Sequence, residues 1–206
     1  MTINWQEAID SHLKSEQHSR VHEPNVFRAS SLSGCLRQCV LIRQGLKEPD
    51  IFSLRHFMIG TLLHRYLQQE VSLGHINSLI EFEKHISFEL DDIKFTGHID
   101  AWDGETVYDF KSTANANLSA ADISLSYIQQ ISIYSYALKA KKAVIVYIDK
   151  RNLNIIQKEV ELIPIEEIID FCKQVMKAED NYKATGVLPE HCTCFGCKQE
   201  AKNSCQ

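Results

Sequence analysis

The chain has 206 residues, seven cysteines and a formal net charge of −5, from 22 Lys and Arg against 27 Asp and Glu. That length fits one domain with a sizeable core, and no run is long and apolar enough for a membrane-spanning helix. The acidic balance counts mildly against a nucleic-acid partner, which more often meets a basic surface, but a metal site that gathers carboxylates would produce the same balance.

In chain order, residues 4–19 read as a polar amphipathic helix, and the start, MTINWQEAIDSHLKSE, lacks the apolar stretch of a secretory signal. The expectation is therefore a cytoplasmic chain whose cysteines do not form a disulfide framework. After a loop with Pro24, Ser30 or Ser31 can cap a helix running to about Gly45. Asp50 can cap the next, IFSLRHFMIGTLLHRYLQQEVSL, which stops at Gly74.

The hydrophobic period then changes to two. IEFEKHISFEL, an Asp91-Asp92 turn, IKFTGHIDAW and a third segment to Thr113 predict three strands. With Asp103-Gly104 as a two-residue turn, Trp102 would face Glu105, Asp100 would face Val107 and His98 would face Asp109. A helix follows at about 119–140, then a buried strand KAVIVYID, a neighbouring strand NIIQKEVEL, and a helix at about 164–184 with Pro164 in its first turn. The remainder after Gly186 is rich in cysteine. This order predicts an α/β chain with a mixed sheet flanked by helices. It divides as an N-terminal helical region (1–75), a β-rich core with an intervening helix (76–162) and a C-terminal helix and tail (163–206), all in one domain.

Two clusters carry chemistry. Side chains two apart on a strand share a face, so the hairpin gathers Asp100, Asp109 and Lys111 on one side and Ile99, Ala101, Tyr108 and Phe110 on the other. A charged strand face is most simply a wetted one. Two carboxylates can also hold one hard cation such as Mg²⁺ or Mn²⁺, and a neighbouring lysine can orient water or stabilise phosphate charge. The second cluster is HCTCFGCKQEAKNSC, with Cys192, Cys194, Cys197 and Cys205; Cys35 and Cys39 lie far upstream. Closely spaced thiols in such a chain read as a zinc or iron–sulfur site. Cys172, on an amphipathic helix, reads as core. The basic groups Arg37 with Arg43, Arg55 with Arg65, and Lys139 with Lys141 and Lys142 read as solvated faces.

Taken together the motifs resemble the PD-(D/E)XK nucleases of the RecB-like group, and within it the CRISPR-associated adaptation exonucleases that carry an iron–sulfur cluster. The resemblance runs over about residues 28–205. SSLSGCLR resembles the segment of the upstream cluster cysteine, which falls on Cys35, with Cys39 as its substitute. GTLLH resembles the helical histidine motif, on His64. GHID and DFK place the acidic ligands on Asp100 and Asp109 and the active lysine on Lys111, with the Phe110 carbonyl as a further metal ligand. QISIY resembles the Q-x-x-x-Y motif, on Gln130 and Tyr134. In the tail the resemblance selects Cys194, Cys197 and Cys205, with Cys192 in reserve. Asp109 departs from the family, which more often has glutamate there.

The resemblance implies a restriction-endonuclease-like fold, Mg²⁺ or Mn²⁺, and an iron–sulfur cluster, four-iron in preference to two-iron. It implies a deoxyribonuclease acting on single-stranded DNA or overhangs, trimming DNA before capture into a CRISPR array, with an integrase complex as partner and a homo-oligomer allowed. The same chemistry would serve a phage or host recombination and repair nuclease. A DNA-end binding module with a cluster but little catalysis is the reading outside enzymology.

Overall fold

The structure, a computed structural model, describes residues 4–16, 23–71, 79–115 and 123–203. Helix α1 spans Trp5–Ser15, capped by the Asn4 side chain. A short strand β1 (Val26–Arg28) leads through a single 3₁₀ turn to α2 (Leu36–Arg43) and α3 (Ile51–Tyr66). Strands β2 (Glu81–Leu90), β3 (Ile93–Trp102) and β4 (Thr106–Thr113) follow. Then come α4 (Leu125–Leu138), β5 (Lys142–Asp149), β6 (Ile155–Glu159), α5 (Ile165–Thr185) and α6 (Phe195–Asn203). Among the described residues no helix is long and apolar enough to cross a membrane.

The expected mixed sheet is present, and β3 is its hub. β2 pairs antiparallel along β3 with one break, opposite Asp100, while the other edge is shared between β1, parallel at Lys94–Thr96, and β4, antiparallel at Ala101 and Trp102. β5 lies parallel to β4, and β6 antiparallel to β5. The parallel β4–β5 pair requires a crossover, which α4 supplies. One face of the sheet, with Phe95, Ile99, Val107 and Ile145, packs on α4 and α5 through Ile131, Ile133, Ile168 and Cys172. The other, with Ala101, Phe110, Val146 and Ile148, is covered by Leu63 and Leu67 at the end of α3.

Several boundaries differ from the expectation. The helix expected from Ser30 or Ser31 begins at Leu36, because Gly34 takes a left-handed conformation (φ +67°) and Cys35 becomes the N-cap. The helix expected from 119 begins after Ser124; residues 116–122 lie outside the described set. Pro164 is the N-cap of α5, not a residue of its first turn. The helix after Asp50 is α-helical to Tyr66 and continues as a π turn to Val71; the stop expected at Gly74 lies outside the described residues. β1, three residues long, is too short to show a period, and α6 lies in a segment read as tail.

The hairpin register also changes. Trp102 pairs with Val107 and Ala101 with Tyr108, so the connection is longer than two residues and the register slips by two. A slip of two preserves every side-chain face, and continuing it sets Asp100 abreast of Asp109, where Val107 was expected. The longer loop is stabilised by Asp103, whose Oδ1 accepts from the backbone N–H of Glu105 (2.9 Å) and Thr106 (2.6 Å).

One of the basic residues read as solvated, Arg43, is instead structural. Arg43 and Glu179 form an ion pair (2.9 Å) with side chains only 5% and 3% exposed. Arg43 also donates to the carbonyls of Glu23, Pro24 and Val26 and lies 4.2 Å above the Phe27 ring, so it ties α2 to β1 and α5. Removing one partner of such a pair strands the other charge. Glu179→Leu should therefore cost about 3 kcal/mol or more in urea unfolding, and the double variant Arg43→Met/Glu179→Leu should recover much of it.

Candidate functional site

Asp109 lies mid-strand on β4 and is fully buried. Its parallel neighbour is Ile145, so the sheet gives it no polar partner. The partners come from α4 and from Lys111. Gln130 Nε2 donates to Asp109 Oδ1 (2.9 Å) and to the Tyr134 hydroxyl (3.2 Å), and Gln130 Oε1 accepts from Lys111 Nζ (3.1 Å). The Lys111 ammonium is 2.7 Å from Asp109 Oδ2. The ammonium is therefore the direct counter-ion of this buried oxygen, which has no other polar partner among the described residues. The charged face is thus a covered one, and the wetted reading of it does not hold.

Asp100 approaches from β3. Its Oδ2 accepts from the backbone N–H of Phe110 (2.6 Å), the donor that would otherwise continue the β3–β4 ladder, and its Oδ1 is 3.4 Å from His64 Nδ1 on α3. The His64 ring meets Phe110 edge-on, with centroids 5.7 Å apart. Alternation along β3 slips here. Ile99 and Trp102, three residues apart, both pack in the main core, while Ala101 packs in the other. On β2, Glu83 has φ +51° and drops out of the register opposite Asp100. This local irregularity lets a carboxylate of β3 turn toward β4.

The electrostatics follow from burial and charge. Burial pushes the Asp109 carboxyl above the usual carboxylate range and the charge of Asp100 adds to this, while Lys111 opposes it. Burial acts to lower the Lys111 ammonium, but the charges of Asp109 and Asp100 outweigh it and the net direction is up. Burial likewise acts to lower His64, and the hydrogen bond and charge of Asp100 carry it upward.

The structure therefore joins His64, Asp100, Asp109, Phe110, Lys111, Gln130 and Tyr134 in one network. By donor type, two carboxylates and an imidazole suit a hard divalent cation, although among the described residues only the four sulfurs below lie close enough together to form a ready ligand set. Sequence reasoning missed two participants. Tyr127, three residues before Gln130 on the same face of α4, places its ring centroid 4.8 Å from Lys111 Nζ. Gly97 is the other: a Cβ there would stand 2.7 Å from Cε1 of Tyr134.

The cysteine centre lies where α2 meets α6. One ligand atom each from Cys35, Cys192, Cys194 and Cys197 lies within 4.8 Å of all the others. The separations are 3.4 Å for Cys35–Cys192, 3.7 Å for Cys35–Cys197 and 3.8 Å for Cys192–Cys197. Cys35 caps α2, and the Cys194 carbonyl accepts from Lys198 N–H in the first turn of α6, so two of the sulfurs stand at helix N-termini, which favour negative charge. Gln38 Nε2 points at Cys197 Sγ (3.6 Å), and Arg37 pairs with Glu200 across the two helices. Burial pushes the Cys35 thiol upward, and the neighbouring thiols add to this. Four thiols from two distant segments form a donor set for a soft metal ion or an iron–sulfur cluster. Cys192, held in reserve, is in this group, and Cys205 lies outside the described residues. Cys39 does not substitute for Cys35: it is buried in the main core beside Ser33, and Cys172 is core as expected.

No protein-family profile and no curated protein matches the chain. Solved structures do. The crystal structure of SSO0001 aligns with a TM-score of 0.62 at 22% identity, over 84% of this chain and 85% of that one. A candidate exonuclease from Eubacterium rectale aligns with a TM-score of 0.56 at 14% identity, over 97% and 93% of the two chains. At these identities the likeness is one of fold.

Gly97→Ala tests the packing beneath the site. The added methyl must push Tyr134, 1% exposed, off the strand. The expected cost is about 1–3 kcal/mol in chemical denaturation; an unchanged midpoint would show that Tyr134 is not held against β3.

Proposed function

We propose that the chain is a metal-dependent deoxyribonuclease acting on single-stranded DNA ends. The observation that carries this is the buried Asp109–Lys111–Gln130 network with Asp100 and His64 beside it. The fold shared with a candidate exonuclease and the order of the sequence motifs support the same reading.

Asp100 and Asp109 would hold Mg²⁺ or Mn²⁺, with His64 and the Phe110 carbonyl as further ligands. When bound, the cation supplies Lewis-acid polarisation of a phosphate oxygen and a more acidic water. The protein's own groups do the rest. Gln130 fixes the Asp109 carboxylate and the Lys111 ammonium relative to each other through one amide, and Tyr134 fixes that amide in turn. Lys111 is placed to orient the attacking water and to stabilise negative charge growing on the phosphate. The setting that fits the motif order best is trimming of DNA before capture into a CRISPR array, in the cytoplasm, with an integrase complex as partner.

For the cysteine centre we infer an iron–sulfur cluster, four-iron, joining the N-terminal helical region to the tail. It rests on the all-thiol donor set and on the sequence resemblance. A single observation favours zinc instead. Sulfur separations of 3.4–3.8 Å are close to the edge of a tetrahedron with metal–sulfur bonds of about 2.3 Å.

Labelled single-stranded DNA with Mg²⁺ or Mn²⁺, against EDTA, tests the enzyme. Cleavage should require the metal, and Lys111→Ala should lower it by about a hundredfold or more with the fold intact. Near-normal turnover in that variant would remove the assignment. Calorimetric titration of Asp100→Ala and Asp109→Ala with Mn²⁺ should show weakened binding in each, His64→Ala a smaller loss; unchanged affinity in both aspartate variants would place the metal elsewhere.

Anaerobic purification separates the two cysteine readings. A brown protein with iron and labile sulfide, bleached by Cys35→Ser, is the expected result. A colourless protein with one zinc would overturn the cluster. Comparing Cys192→Ser with Cys205→Ser then identifies the fourth ligand.

A further inference from the structure

We propose that Tyr127 is a positioning residue for Lys111: the face of its ring holds the ammonium group in the one location where it serves both Asp109 and an incoming phosphate. The consequence for catalysis rests on the nuclease reading above; the placement of the lysine does not.

Lysine carries a compact charge on a flexible four-carbon stem, and nothing in that stem fixes where the charge sits. In this site the ammonium has two polar neighbours, Gln130 Oε1 at 3.1 Å and Asp109 Oδ2 at 2.7 Å. Both contacts act on the charged end alone, and neither fixes the flexible stem that carries it. The third neighbour is the Tyr127 ring, with its centroid 4.8 Å from Nζ, inside the range over which an aromatic face attracts a cation. The Lys111 side chain is 16% exposed, and partial desolvation strengthens that attraction.

Two further observations assign the role to the ring and not to the phenol. No hydrogen bond to a described residue engages the Tyr127 hydroxyl. And Tyr127 belongs to the first turn of α4, where its N–H donates to the Ser124 carbonyl (2.9 Å), so its backbone is fixed by the same helix that fixes Gln130. Tyr127, Gln130 and Tyr134 thus form one ladder on α4, and Lys111 touches two of its rungs. Without the ring the ammonium keeps its ion pair with Asp109 but loses the contact that fixes its stem on the α4 side of the site. Held on the ring, it stays beside the carboxylate with N–H bonds to spare.

The test compares Tyr127→Phe, which keeps the ring, with Tyr127→Leu, which removes it, each checked for a wild-type thermal unfolding midpoint. The first readout is independent of activity. In the NMR spectrum of ¹³C-lysine-labelled protein, the Lys111 ε-methylene protons, identified by their loss in Lys111→Arg, should be shifted upfield by the ring. The shift should persist in Tyr127→Phe and vanish in Tyr127→Leu. The second readout is cleavage of single-stranded DNA. Tyr127→Phe should keep kcat within about twofold, and Tyr127→Leu should lower kcat about tenfold with little change in KM. A Lys111 resonance without an upfield shift in the wild type, or unmoved in Tyr127→Leu, overturns the proposal. So does equal damage in both variants, which would make the hydroxyl the important group. A wild-type protein that binds Mn²⁺ but does not cleave would refute the nuclease reading, and the NMR comparison would still decide whether Tyr127 holds Lys111.

Discussion

A carboxylate buried in the middle of a sheet is the constraint around which this molecule is arranged. Asp109 has Ile145 beside it on β5 and is cut off from water. Burying a charge of that kind costs several kcal/mol unless other groups replace its hydration. Lys111, two residues along the same strand, supplies the counter-charge; Gln130 supplies the hydrogen bond. Both demands shape the architecture. α4 must cross directly over β4 to deliver Gln130, and Tyr134 behind it can lie flat only because position 97 has no side chain. The β3–β4 ladder stops after Ala101 and Tyr108, since Asp100 takes the next N–H for itself. What looks like an imperfect sheet is a sheet opened at the point where two strands present acids to each other.

The second organising element is far from the first in sequence and tied to it through backbone. Cys35, at the head of α2, and Cys192, Cys194 and Cys197, around the head of α6, draw the two ends of the chain together. Arg37–Glu200 and the Gln38 contact to Cys197 reinforce the same join, and Gly196 makes room for it: a Cβ there would be 2.7 Å from Gln38 Oε1. Immediately before Cys35, Gly34 packs so tightly that a Cβ would lie 3.2 Å from Leu125, the first residue of α4. The loop that presents Cys35 is therefore also a stop against which the site-bearing helix rests.

The legible and illegible parts of the sequence divide along physical lines. The period-two run from Glu81 to Thr113 reported its strands because alternation is a local property, whereas its acids read most simply as a wetted face, and His64, Gln130 and Tyr134 were marked only by the family resemblance. The hairpin register was not legible. Asp103-Gly104 is a strong signal for a two-residue turn, but Asp103 spends its carboxylate on the N–H groups of Glu105 and Thr106 and on the Tyr108 hydroxyl, which stabilises a longer loop. Nor was the slip in alternation at Asp100, which depends on Glu83 across the sheet. β1 was too short for any period to show. Tyr127 carried only one available clue, its spacing from Gln130, and helical spacing alone marks many more residues than it selects. The start of α2 was misplaced because serines at 30 and 31 are good caps in isolation, while the left-handed turn at Gly34 decides the matter.

The charge balance takes on a different meaning in this light. Three arginines that a basic-patch argument would count, Arg37, Arg43 and Arg55, are each spent on a carboxylate: Glu200, Glu179 and Asp10. Arg151 is pinned to Asp149 and Lys141 to Glu105. These pairs offset part of the positive charge locally, and a net −5 surface has little long-range pull on a polyanion. An α3 helix that contains Arg55, His56, His64 and Arg65 and no carboxylate is a local exception, and it is the helix that brings His64 to Asp100. If the chain is the proposed nuclease, attraction for a phosphate would have to be generated at the site itself, by Lys111 and by a cation that the two aspartates would hold. On the nuclease reading, the net excess of acid would not bar a nucleic-acid substrate, because the two aspartates could hold a divalent cation where the phosphate would come.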